Sequence, residues 1–168
     1  DQDLFNQMME SGVFYGRSKS RTNPLMKRNI VATRSGFEVI DVLQTIAGLK
    51  EVTKVIQEIV KTNGLMLLVG TSPAVKQLVK ETAIRLELPY VVQRWLGGTL
   101  TNFKVISERI NQFKKLKEDR ATGKIEKYTK KEQLQMERDL AKAGVLFGGL
   151  EKMDRFPSLL LIVDLAAN

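Results

Sequence analysis

A chain of 168 residues, 43% of them hydrophobic and 27% charged, has the composition of one folded domain, or of one domain with an appendage. It contains neither cysteine nor histidine, which excludes disulfides, thiolate or imidazole metal sites, histidine triads and the commonest general base. A net charge of +8 points instead to a polyanionic partner, and no apolar run approaches the roughly 20 residues of a membrane helix.

The expectation is an intracellular, soluble protein without metal, cofactor or membrane contact. The chain opens on Asp1 and its last apolar strand stops close to Asn168, so both ends read as trimmed.

In chain order, Leu4 to Glu10 is a short helix candidate, broken by Gly12 and Gly16. Arg17 to Pro24 is polar and basic and is expected to be a loop. Six basic residues, Arg17, Lys19, Arg21, Lys27, Arg28 and Arg34, fall between Ser11 and Phe37 with no acid among them. Asn29 to Thr33 and Phe37 to Ile40 read as strands flanking Ser35-Gly36. Asp41, with Gln44 three residues on, is a helix cap. The helix it opens runs to about Thr62, with Leu43, Ile46, Leu49, Ile56, Ile59 and Val60 near one face and Asn63-Gly64 as the stop.

Leu65 to Val69 is a continuous apolar run, the pattern of a strand buried on both faces of a parallel sheet. Ser72 as N-cap and Pro73 at the first helical position open a helix to Glu87, with Val75, Leu78, Val79, Ala83 and Leu86 inward. Tyr90 to Val92 is the next strand. Strand, helix, strand, helix, strand predicts an α/β fold with a parallel sheet, starting from the strand at Phe37.

The joint Gln93 to Phe103 follows, carrying Trp95, the paired Gly97-Gly98, and Thr99, Thr101 and Asn102 as candidate caps. Trp95 has two readings, as a core side chain or as an RNA-facing one. Phe103, Ile106, Ile110 and Phe113 then repeat at the seam spacing of a coiled coil. Ala121-Thr122-Gly123 interrupts the helix, and Thr129 with Glu132 is a capping box for a second one containing Met136, Leu140 and Ala143. This pair predicts an inserted helical hairpin, residues 103–144, projecting from an α/β domain made of residues 1–102 and 145–168. Residues 103–155 carry 14 basic and nine acidic side chains. The sheet pattern resumes at Leu159 to Val163.

Catalytic signals are sparse. Gly70-Thr71-Ser72 sits where a phosphate loop sits, yet lacks the Walker lysine and the spaced glycines of a dinucleotide fingerprint. Asp41 and Asp164 both fall near strand ends but have no nucleophile beside them. No catalytic constellation emerges, and the protein is not expected to be an enzyme.

The joint Gln93-Arg94-Trp95-Leu96-Gly97-Gly98-Thr99-Leu100-Thr101-Asn102-Phe103 resembles the hallmark of the ribosomal protein S-two family. So do Asn23-Pro24 with Met26-Lys27, the strand ending Ile40-Asp41, Leu67 to Thr71, and Pro157 to Asp164. The resemblance implies a flavodoxin-like α/β domain, with helices on both faces of a parallel sheet and a protruding coiled-coil hairpin. It also implies a structural role in the small ribosomal subunit, in the cytoplasm or in an organelle. The implied partners are small-subunit ribosomal RNA, neighbouring ribosomal proteins and the large RNA-binding protein S-one, with no small-molecule substrate.

Two departures stand out. Phe14-Tyr15-Gly16-Arg17 replaces the family's His-Phe-Gly-His, so any metal role of those histidines is not carried over. A further helix and strand expected after Asp164 are also absent from this chain. The residues expected to touch RNA are Arg17, Lys19, Arg21, Lys27, Arg28, Arg34, Arg94, Trp95, Asn102, Lys104, Lys114, Lys115 and Lys117. The alternatives are a small α/β nucleotide-binding enzyme using Gly70 to Ser72 and a protein-binding adaptor using the hairpin.

Overall fold

The computed structural model describes residues 2–165 and divides into two compact units, Asp1–Glu58 and Ile59–Asn168. The first holds helix α1 (Gln2–Glu10), strands β1 (Tyr15–Ser18), β2 (Ile30–Arg34) and β3 (Phe37–Ile40), and most of helix α2 (Val42–Lys61). The three strands form an antiparallel sheet in the order β1-β3-β2. Ser35 (φ 50°) and Gly36 (φ 80°) make the tight turn between β2 and β3. Met8, Val42 and Ile46 form a small core with Phe5 and Phe14 against it.

Three expectations fail in this unit. β3 is not the first strand of the parallel sheet, because its ladder partners are β1 and β2. The expected loop after Gly16 instead begins as a strand. Gly16 packs so close to β3 that a Cβ there would lie 2.7 Å from the Glu38 carbonyl oxygen, so this pairing requires glycine. The α2 face also differs from expectation. Ile46 is buried, but Leu43, Leu49 and Val60 are exposed. The Asp41 cap holds, its Oδ1 accepting from the Leu43 and Gln44 amides at 2.9 and 3.2 Å. Asn63, at φ 52°, ends α2 in the left-handed conformation, and the Gly64 amide donates back to the Ile59 carbonyl at 2.8 Å.

The second unit is the mixed α/β part. Strands β4 (Met66–Val69), β5 (Tyr90–Val91) and β6 (Leu159–Ile162) form a parallel sheet in the order β5-β4-β6. Central β4 alternates between two cores. Leu68 packs with Val79 and Ala83 of α3 (Pro73–Arg85) and with Val92. Leu67 and Val69 pack with Ile106, Ile110 and Phe113 of α4 (Phe103–Ala121) and with Leu140 and Phe147 of α5 (Lys130–Phe147). Alternate side chains of a strand point to opposite faces, so α3 lies on one side of the sheet and the α4–α5 pair on the other. That is why the strand reads as an unbroken apolar run. Leu78 on α3 and Leu86 at its C-cap are exposed rather than inward, while Val79 and Ala83 carry the packing. Ser72 stands at the N-cap position without a side-chain capping bond.

Candidate nucleic-acid interface

The joint is locked from within. Gly98 (φ 88°) supplies the left-handed turn, whereas Gly97 meets nothing within 4 Å. Thr99 is buried, and its Oγ1 donates to the Leu96 carbonyl at 2.7 Å. It therefore closes the turn rather than capping α4. Asn102 occupies the N-cap position but makes no side-chain capping bond, and it is solvent-exposed. Trp95 is half-buried against the cluster of Val69, Ile106 and Ile110. Its ring thus has a core contact, while neighbouring Arg94 points outward.

In the first unit Arg17, Lys19, Arg21, Lys27, Arg28 and Arg34 are all exposed. They ride on pinned backbone, because Lys19 N–H donates to the Gly36 carbonyl at 3.0 Å and Thr22 Oγ1 donates to the Ser18 carbonyl at 3.2 Å. Asn23 Oδ1 accepts from the Leu25 amide at 2.9 Å, starting the 3-10 segment Pro24–Asn29 that carries Lys27 and Arg28. Among the described residues, Lys19, Arg21, Lys27, Arg28 and Arg34 have no ion-pair partner within the chain. Glu38 is buried, away from these cations' solvent face, and its Oε2 has no hydrogen-bond partner. Lys19, Arg21, Lys27, Arg28 and Arg34, ordered and unpaired, need little rearrangement to meet phosphates.

The second unit treats its cations differently. Lys104 and Lys115 are exposed and Lys114 half-buried, but Lys117 Nζ donates to both carboxylate oxygens of Glu151 at 2.8 Å. Arg120 stands 3.9 Å from Glu137, and Lys124 3.3 Å from Asp119. Three of the twelve cations in residues 103–147 are therefore paired with a carboxylate.

A cleft of about 400 Å³ lies between α3, the end of β5 and the C-terminal end of α5. It brings Arg94 together with Lys76 and Lys80, and no carboxylate lines it. Sequence reasoning singled out Arg94 and missed the two lysines, whose four-residue spacing on α3 was the available signal. Lys76 Nζ donates to Gln93 Oε1 across the cleft mouth.

The Gly70–Ser72 turn does not line this cleft. A Cβ on Gly70 would lie 2.7 Å from Val79 Cγ2, so that glycine is there to let α3 approach β4. Among the described residues no cluster of carboxylates could hold a metal ion, and no helix is long and apolar enough to cross a membrane.

Residues 8–168 match the sequence model of the family described as Ribosomal protein S2. The chain belongs to the ribosomal protein S2 family. Two relatives are named small ribosomal subunit protein uS2. That of Roseiflexus castenholzii (strain DSM 13941 / HLO8) is 41% identical over 157 residues, covering 94% of this chain and 60% of its own length. That of Roseiflexus sp. (strain RS-1) is 40% identical over the same shares. The chain thus spans about three fifths of the length of these S2 relatives, and the Trp95 joint lies within the matched region.

Proposed function

We propose that this S2-family chain is a non-enzymatic, structural component of the small ribosomal subunit that binds ribosomal RNA. The observation that carries the reading is the coincidence of S2 family membership with an ordered, exposed group of cations between Lys19 and Arg34, in a stretch of sequence that contains no acid. Arg94, Asn102, Lys104, Lys114 and Lys115 add a second contact zone, and the cleft lysines Lys76 and Lys80 extend it around Arg94. Trp95 serves from the core side, holding the joint so that Arg94 stays outward. Lys117 contributes least, because Glu151 already answers it.

The wider fold is proposed as flavodoxin-like. Residues 103–144 would then be a protruding coiled-coil hairpin inserted into an α/β domain of residues 1–102 and 145–168. The buried seam of Ile106, Ile110 and Phe113 against Leu140 and Phe147 supports that reading. Neighbouring small-subunit proteins, among them the large protein S-one, are proposed partners, and the ribosome is the proposed location.

The test is cosedimentation of the chain with small ribosomal subunits over a salt series. Association that falls steeply with salt is expected, because each neutralised phosphate releases counterions. Failure to associate at low salt would remove the proposal. The nucleotide-enzyme reading gains no support, since Gly70 packs against Val79 and Gly70 to Ser72 do not line the cleft beside α3.

A further inference from the structure

The antiparallel sheet of the first unit has an aromatic outer face that charge alone does not explain. In its ladder Phe37 lies opposite Arg34 of β2 and Ser18 of β1, and Tyr15 lies opposite Val39. The four residues Tyr15 to Ser18 of β1 stand against the three residues Phe37 to Val39 of β3, so one extra residue is absorbed in a bulge. Opposed residues of an antiparallel ladder, and residues two apart on one strand, project to the same face. Tyr15, Phe37 and Arg34 therefore share a face. Both rings are open, Tyr15 at 71% and Phe37 at 56% exposure. Glu38, between Phe37 and Val39 on β3, turns to the opposite, buried side.

The Tyr15 ring is braced, not loose. Its centroid sits 4.2 Å from that of Phe14, tilted by 33°, and Phe14 packs against the Met8–Val42–Ile46 core. Arg34 is exposed beside Phe37, with Lys19 and Arg21 following directly after β1. Two exposed aromatic rings on a sheet, with Arg34 opposite one of them and no acid in the sequence between Ser11 and Phe37, have the chemistry that recognises unpaired nucleobases. The rings stack on base faces, and the cations take the intervening phosphates. A duplex offers phosphates but hides its base faces, so it would use only half of this surface.

We propose that the β1–β3–β2 face is a stacking platform for unpaired bases of RNA, with Tyr15 and Phe37 as the stacking rings and Arg34 beside them. This deepens the ribosomal-RNA reading and rests on it.

The test measures the full chain's affinity for a single-stranded oligoribonucleotide and for an RNA duplex of the same length. Wild type is compared with the Tyr15→Leu/Phe37→Leu double variant and with the ring-preserving Tyr15→Phe/Phe37→Tyr variant. Circular dichroism checks that each variant folds. Stacking predicts that the leucine variant binds the single strand about a hundredfold more weakly, about tenfold per ring, with little change on duplex. The ring-preserving variant should stay within about twofold of wild type. Equal single-strand affinity in the leucine variant would overturn the platform, as would equal losses on both RNAs. In either case, if neutralising Arg17, Lys19, Arg21, Lys27 and Arg28 still weakens binding, the RNA-binding reading survives without the platform. A wild-type chain that binds neither RNA at low salt removes both.

Discussion

The six cations between Ser11 and Phe37 and the twelve of residues 103–147 live in different company. Between Ser11 and Phe37 no acid is present, and the exposed side chains there stand on backbone held by turns and a strand. On the helical pair, Lys117, Arg120 and Lys124 each have a carboxylate within 4 Å. A cation already paired must give up that partner before it gains a phosphate, so it releases less free energy on binding. Charge available to a partner is therefore the unanswered fraction: between Ser11 and Phe37 no acid dilutes it, whereas residues 103–147 mix twelve cations with seven acids.

The sharpest way to break this contrast is to neutralise each region in turn. Replacing Arg17, Lys19, Arg21, Lys27 and Arg28 by glutamine is expected to weaken binding to small-subunit RNA by about two to three orders of magnitude near physiological salt. Replacing Lys104, Lys115 and Lys117 in the same way should cost only about tenfold. Equilibrium binding by filter retention or anisotropy compares the two directly, and equal losses would dissolve the distinction.

The second contrast is in packing. Ile110, 1% exposed in the core shared by β4, α4 and α5, should lose about 2–5 kcal/mol on Ile110→Ala, measured by urea unfolding followed through Trp95 fluorescence.

A smaller effect separates the ends of the helical pair. Thr129 Oγ1 accepts from the Glu132 amide, and the Glu132 carboxylate accepts from the Thr129 amide at 2.9 Å. Thr129→Ala should cost about 1 kcal/mol by the same unfolding assay. The backbone amide of Thr129, and then its hydroxyl, hold the Glu132 carboxyl below its ordinary value of 4.5. A depressed carboxylate contributes stability that is present above the ordinary value and is lost as pH falls through the folded one. Fraying at the start of α5 should therefore grow below about pH 4.5, as read from Thr129 amide shifts in an NMR titration. In Thr129→Ala that dependence should weaken only in part, because the backbone amide at position 129, the larger cause, is kept.

The smallest expected change comes from Lys117→Gln alone. Lys117 is 58% exposed and paired with Glu151, so stability should shift by less than about 1 kcal/mol and RNA affinity by less than about threefold.

What could be read from residues alone follows the range of the interactions involved. β4 was legible because burial on both faces leaves an unbroken apolar run, and α5 because Thr129 and Glu132 stand in capping register. β1 was not legible. Tyr-Gly-Arg-Ser has no β-branched residue, and it becomes a strand only because Gly16 lets β3 come close, a contact between residues over twenty positions apart. Phe37 to Ile40 was recognised as a strand but assigned to the wrong sheet, since pairing partners are not local information. The exposed Leu78 and Leu86 show the same limit on helices, where spacing identifies a stripe without saying which part of it a neighbour covers. At the candidate interface Arg94 was visible beside Trp95, whereas Lys76 and Lys80 acquire meaning only once α3 is laid against the end of β5.

Lysine footprinting tests the contrast most directly, because one reagent samples both regions of an unaltered chain. The chain is treated with an amine-reactive probe with and without small-subunit RNA, and modification is quantified at each lysine by mass spectrometry. Unanswered charge in the first unit predicts strong RNA protection of Lys19 and Lys27, partial protection of Lys104 and Lys115, and little change at Lys117. Protection confined to the helical pair, with Lys19 and Lys27 as reactive in the complex as in the free chain, would contradict it.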